Sequence, residues 1–309
     1  MTLQQLQYIV ALAQYGQFVK AAESCFVTQP TLTMQLQKLE EEVGGLLFNR
    51  DKSPVTPTPL GEAFLERARV ILKEVEGLKQ LVNDEIDKVE GIYRIGVIPT
   101  IAPYLMPRLI PQVLKANSKV KIKVYELRTD EVIDGLKRGT IDLGIAATPL
   151  VEDLIKEIPV YFEPFEIYIH PDHPKAKIET WSTQDLESNE MLILDEGHCF
   201  RDQALAICAR AGKKMNKGFE YQGGSLEALM GLVDRGLGYT MVPAMVQGHK
   251  NGEGKIRCFK TPRPVREVSI VVHKSFARTA FIEWLQLQIE KVVPKDYLQP
   301  KKVKRIKWK

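Results

Sequence analysis

The segment Leu194-Asp195-Glu196-Gly197-His198-Cys199-Phe200-Arg201-Asp202-Gln203-Ala204-Leu205-Ala206-Ile207-Cys208 carries two thiols among charged neighbours. An apolar run ends, a glycine turn follows, and the pattern predicts a helix beginning at Cys199. A thiol in the first turn of a helix feels the positive end of the helix dipole. His198 and Arg201 add positive charge, so the Cys199 pKa is expected to be lowered. Cys208 lies nine residues on, which in a helix is about 13.5 Å of rise and the opposite face. A disulfide tolerates Cα separations of up to about 7 Å, so joining the two cysteines would require the helix to unwind. Two arrangements selected by a covalent bond are what a redox switch needs. The residues alone leave a second reading open, in which Cys208, between Ile207 and Ala209, is a thiol of the core.

The remaining composition narrows the classes of function. The other cysteines, Cys25 and Cys258, are too few and too scattered to complete a secreted disulfide framework. There is no run of about 18 apolar residues, and the first thirty residues already carry Gln4, Gln5 and Lys20. A cytoplasmic protein that neither enters a membrane nor is secreted is therefore expected. No paired carboxylates, metal-ligand spacing or phosphate-binding glycine loop stands out, so no metal, no cofactor and no enzymatic turnover are expected; Gly223-Gly224 and Gly236-Leu237-Gly238 read as turns and helix ends.

The chain has 309 residues, 44% of them hydrophobic and 27% charged, enough for two or three domains. Near the N-terminus, Leu3, Leu6, Val10 and Ala13, then Phe18, Ala21, Ala22 and Cys25, recur at helical spacing around a break at Gly16. A third helix is predicted from Thr28-Gln29-Pro30, a capping hydroxyl with proline in the first turn, to Gly44-Gly45. Its apolar stripe of Leu32, Leu36, Leu39 and Val43 leaves Pro30, Thr31, Met34, Gln37 and Lys38 facing outward or flanking it. Three short helices with a polar outer face on the third make a helix-turn-helix, or an ordinary three-helix bundle with the same periodicity. In the first case Gln29, Pro30, Thr31 and Thr33 stand at the end of the helix that meets base edges, and Lys38 and Arg50 neutralise phosphates.

Asn49 to Pro57 reads as a wing, and a long helix follows from Thr58-Pro59. Phe64, Ala68, Ile71, Val75, Leu78 and Val82 repeat in steps of four and three, a heptad seam. A helix of roughly 30 residues spans about 45 Å, too long to bury that stripe on a small domain, so a second copy of the chain is the expected partner.

The run Val27-Thr28-Gln29-Pro30-Thr31-Leu32-Thr33-Met34-Gln35-Leu36-Gln37-Lys38-Leu39-Glu40, with Val43 to Arg50 after it, resembles the signature of LysR-type transcriptional regulators. Phe18, Ala21-Ala22 and Thr58 to Gly61 extend the likeness over the N-terminal 60 residues, while Met34 and Gln37 stand where many relatives place Arg. The resemblance implies double-stranded DNA with a two-fold operator as partner. It also implies dimerisation through the long helix, assembly to a tetramer, and RNA polymerase as a candidate partner.

From Tyr93 the pattern becomes strands alternating with helices, read as α/β with a largely parallel sheet. The expected fold class is thus an all-α winged helix-turn-helix with a linker helix, then a two-lobed α/β effector domain like a periplasmic binding protein. The expected domains are 1–58 (DNA-binding), 59–90 (linker) and 91–295 (regulatory, second lobe about 164–267), with a basic tail at 296–309. Residues 1–90 hold nine Lys/Arg against thirteen Asp/Glu, so bulk charge does not favour DNA there. The last fifteen residues, with seven basic groups and one acidic, read as a solvated tail that could add phosphate contacts.

Gly197-His198-Cys199-Phe200-Arg201-Asp202-Gln203-Ala204, with Cys208 after it, resembles the peroxide-sensing members of the same family, as do Ile98-Pro99-Thr100, Pro103-Tyr104-Leu105 and Ser225-Leu226-Glu227. This resemblance implies that hydrogen peroxide oxidises Cys199 to a sulfenic acid, which condenses with Cys208. It further implies that Thr100 and Thr129, otherwise ordinary loop hydroxyls, hydrogen-bond the peroxide, with His198, Arg201 and Asp202 flanking the thiol. Two competing readings are a LysR-type regulator with a small-molecule effector between the lobes, and a thiol peroxidase or binding protein without a gene-regulatory role.

Overall fold

The computed structural model describes all residues except 52–53, 85–88, 188–189, 209–222, 249–253, 300–302 and 307–309, and omits the side chains of 73, 76–77 and 79–84. The chain forms two compact units, Met1–Ile86 with Lys137–Gly139, and Asp87–Leu136 with Thr140–Lys309.

In the first unit, α1 (Leu3–Tyr15), α2 (Phe18–Ser24) and α3 (Gln29–Val43) are followed by β1 (Phe48–Asn49), β2 (Thr56–Pro57) and α4 (Pro59–Asp84). Their boundaries follow local chemistry. The Thr28 hydroxyl accepts from the Thr31 N–H to start α3, Pro30 sits in the first turn, and Gly44 ends the helix in the left-handed region. The Thr58 hydroxyl likewise accepts from Gly61 N–H, and a Cβ on Gly61 would lie 1.9 Å from the Leu47 carbonyl oxygen, so only glycine fits there. Leu32, Leu36 and Leu39 are buried with Leu6, Ile9, Leu12, Ala21 and Leu47, each leucine or isoleucine worth about 1.5–3 kcal/mol. Leu3, expected in that core, is exposed. β1 and β2 pair antiparallel as a short wing.

The described part of the long helix runs 26 residues, Pro59–Asp84, about 39 Å; residues 85–88, in the expected linker, lie outside the described residues. Its first seam residues are consumed at home: Ala68 is fully buried and Phe64 partly buried in the core of the same unit, beside Leu65, which the seam omitted. Ile71 and Leu78 are exposed, Val75 is half-buried, and the side chain of Val82 lies outside the described residues.

The second unit begins with β3 (Gly91–Val97), α5 (Ala102–Ala116), β4 (Val120–Glu126), α6 (Thr129–Arg138) and β5 (Leu143–Thr148). The chain continues through β6 (Ile155–Ile169), β7 (Thr180–Trp181), β8 (Met191–Leu192), α7 (Cys199–Ile207), α8 (Leu226–Val233) and β9 (Tyr239–Pro243). It closes with β10 (Lys255–Phe259), β11 (Arg263–His273), α9 (Thr279–Val292), α10 (Lys295–Leu298) and β12 (Val303–Arg305). The sheet is mixed rather than largely parallel. β4, β3 and β5 are parallel, whereas β11 runs antiparallel to both β5 and β6. β6 pairs with β11 up to Pro164 and with β9 and β10 from Phe165, so one long strand serves both lobes.

The basic C-terminal segment is not wholly a solvated tail. β12 adds to β11 in parallel, Ile306 is buried, and Arg305 pairs with Glu267, so that basic group is neutralised within its own unit. Among the described residues no helix is long and apolar enough to cross a membrane.

Candidate functional site

α7 begins at Cys199 and ends at Ile207, with His198 as N-cap and Cys208 as C-cap, so the two cysteines bracket one helix of nine residues. Gly197 turns the chain into this helix at φ +89°. Both sulfurs are buried: Cys199 is 3% exposed and Cys208 1%. The Thr129 hydroxyl, at the first residue of α6, hydrogen-bonds the Cys199 sulfur, as does the Phe200 N–H.

The environment of Cys199 overturns the expected acidic thiol. Burial pushes the Cys199 pKa up; the Thr129 hydrogen bond and the Arg266 charge pull it down without prevailing, and Asp202 raises it further. Neither neighbour expected to supply positive charge does so. Arg201 turns away, donating to the Leu194 carbonyl at 2.9 Å, with Glu196 3.9 Å distant. His198 is buried, and desolvation, then Arg128, lowers its pKa, which keeps the ring neutral at pH 7.

Thr100, in the turn after β3, is 1% exposed; its hydroxyl oxygen accepts from Arg266 Nη1 at 2.8 Å and its carbonyl from Nη2 at 2.9 Å. Arg266 also donates to Glu163 Oε2 from Nε at 2.9 Å and Nη2 at 2.7 Å. Glu163 Oε1 accepts from the Met245 N–H, and the guanidinium lies 5.2 Å from the Phe200 ring centroid. Thr129 thus acts on the Cys199 sulfur directly, while Thr100 is tied to Arg266, whose charge also acts on that sulfur. The structure leaves Asp202 exposed one turn along and Arg201 directed elsewhere. Sequence reasoning missed Arg266 and Glu163. The sequence does not single them out: β6 also carries Lys156, Glu157 and Glu166, and β11 also carries Arg263 and Glu267, so only the fold shows which charges are buried as partners.

Beside His198 a cleft of about 310 Å³ is lined by Pro99, Glu126, Arg128, Glu131, Ser225 and Glu227. The imidazole Nε2 has no hydrogen-bond partner among the described residues, and Gly224 leaves it room, since a Cβ there would lie 2.5 Å away. Tyr104 donates to Glu227 at 2.8 Å across the cleft wall. Cys258, for which the sequence named no partner, has its sulfur 3.5 Å from Glu166 Oε1.

In the first unit, Gln29 and Pro30 are exposed at the start of α3, Lys38 is exposed in its second half, and Thr33 is half-buried. The Thr31 hydroxyl lies 2.8 Å from that of Thr28, within the cap itself. Arg50, expected on phosphate, has a partner within its own unit. It pairs with Glu40, a carboxylate 5% exposed that also accepts from the Leu47 and Phe48 N–H groups, at 2.8 and 3.3 Å.

Comparison with known proteins gives this geometry a lineage. Residues 3–62 match "Bacterial regulatory helix-turn-helix protein, lysR family", and residues 87–291 match "LysR substrate binding domain". The "Hydrogen peroxide-inducible genes activator" of Dickeya chrysanthemi is 35% identical over 274 residues, 88% of this chain and 89% of the relative. The "DNA-binding transcriptional dual regulator OxyR" of Escherichia coli K12 is also 35% identical, with the same coverage. The solved full-length OxyR of Pseudomonas aeruginosa, bearing a cysteine-to-aspartate substitution, superposes with a TM-score of 0.83 at 34% identity, over 97% of this chain and 99% of that one. The chain belongs to the lysR family of bacterial regulatory helix-turn-helix proteins.

Proposed function

We propose that this chain is a homo-oligomeric, DNA-binding transcription regulator of oxidative-stress genes whose effector is hydrogen peroxide, sensed at Cys199. The observation that carries the reading is the buried Cys199 sulfur, hydrogen-bonded by Thr129 and faced by the Arg266 charge, at the head of a helix that ends on Cys208. The names of the relatives agree with it.

The chemistry balances as two thiols and one peroxide giving one disulfide and two waters. The Cys199 thiolate attacks one peroxide oxygen and the O–O bond breaks. The hydroxide that leaves takes a proton to become water, and Cys199 is now a sulfenic acid. The Thr100 oxygen already accepts from Arg266, which leaves its proton to donate to the peroxide, as an oxyanion-stabilising donor would. The Cys208 thiolate then attacks the Cys199 sulfur and expels the second oxygen as water. The disulfide cannot span an intact α7, so the helix unwinds on oxidation.

The test is mass spectrometry of the peroxide-treated full chain, digested under non-reducing conditions. A peptide pair linked through Cys199 and Cys208 is expected, absent in Cys199→Ser. Oxidation without that link would sink the switch and leave DNA binding standing. A second reading has one observation in its favour: the cleft beside His198 suits a small polar effector. Cys199→Ser separates the two, since an effector sensor keeps its response and a peroxide sensor loses it.

A further inference from the structure

Phe26 lies between α2 and α3, two residues before the Thr28 cap, and its side chain is 96% exposed. Its φ is +56°, in the left-handed region, which for a bulky side chain is an outlier. The turn is closed by backbone alone: Phe26 N–H donates to the Glu23 carbonyl at 3.1 Å and Val27 N–H to that of Ala22 at 3.0 Å. Asparagine or glycine would close the same turn without strain. The fold therefore gains nothing from this ring, which is both strained and presented to solvent. Strain of that kind collects at binding sites.

The position says which site. In a helix-turn-helix the N-terminal residues of the second helix meet base edges, and the Cα of Phe26 is within about 11 Å of the Cα of Gln29 along the chain. Met34, 46% exposed on α3, adds a second apolar side chain to the same helix. The apolar group that DNA offers in the major groove is the thymine C5-methyl. We propose that Phe26 is a DNA-contacting, specificity-determining residue whose ring packs on a thymine methyl in each half-site. The proposal rests on the DNA-binding reading above.

The test starts by selecting a binding sequence for the full-length protein from a random duplex pool. If the wild type enriches no sequence, it is the DNA-binding reading that fails, before Phe26 is touched. On the selected duplex, Phe26→Asn is expected to bind about tenfold more weakly, equivalent to uncovering part of one aromatic side chain. The salt dependence should be unchanged, because no phosphate contact is lost, and the melting temperature equal or higher. Replacing single thymines by uracil keeps pairing and removes only the methyl. It should weaken wild-type binding at one thymine per half-site and leave Phe26→Asn indifferent at that position. A wild type insensitive to every such replacement, a Phe26→Asn protein that binds as tightly as wild type or keeps the same uracil sensitivity, or a change in oligomeric state as the variant's sole defect would each overturn the proposal.

Discussion

Cys199 stands between two opposing influences, and their balance sets how it reacts. Burial favours the neutral thiol, while Thr129 and Arg266 favour the thiolate that attacks peroxide. Burial prevails, so the thiolate is a smaller fraction at pH 7 than in a free cysteine. The rate of Cys199 oxidation should therefore rise roughly tenfold per pH unit across neutrality, without levelling off near the free-thiol value of about 8.5. Rapid-quench alkylation between pH 6 and 9 reads this directly, and a plateau below pH 8 would show that the cations win. The other residue-scale revision is Arg50. Its pairing with Glu40 holds a carboxylate that satisfies two backbone N–H groups after α3, so it anchors the end of that helix whatever else it touches.

At the scale of elements, α4 divides its apolar stripe between two duties. Ala68 and Phe64 seal the core of the first unit, and Ile71 and Leu78 are left outward, beyond what that small unit can cover. Ile71→Asp with Leu78→Asp should therefore give a folded monomer at micromolar concentration in sedimentation velocity, with the melting temperature of the first unit little changed. Ala68→Asp should instead unfold that unit, because it buries an unpaired charge. A dimer that survives the double substitution would place the interface elsewhere. α7 is nine residues long, and few helices shorter than about 12 residues stand without tertiary support, so the proposed disulfide would have little intrinsic helix stability to overcome.

For the whole molecule, the charge distribution decides how DNA is held. The first 90 residues are net acidic, and the basic C-terminal segment spends Arg305 on Glu267. Affinity must then come from pairing two reading heads, which predicts two protected half-sites one or more helical turns apart. In hydroxyl-radical footprinting, peroxide should alter the protection pattern of the wild type and not that of Cys208→Ser. An unaltered pattern in both would leave the disulfide without effect on DNA.

What the sequence by itself determined is whatever depends on neighbours a few residues apart. The Thr28 cap, the Gly44 stop, the Thr58 start of α4 and the opening of α7 at Cys199 all rest on contacts within one turn, and the identities around Cys199 and Thr28 placed the chain in its family. Tertiary structure alone decided the rest. Arg266 meets Glu163 across 103 residues, and Arg305 meets Glu267 only once β12 has docked. The Cys199 thiol is raised rather than lowered because desolvation depends on how many elements close over a group, and no spacing in a sequence records that. The antiparallel return of β11 between β5 and β6 brings Arg266 to Thr100 and Cys199, so the electrostatics of the thiol belong to the fold.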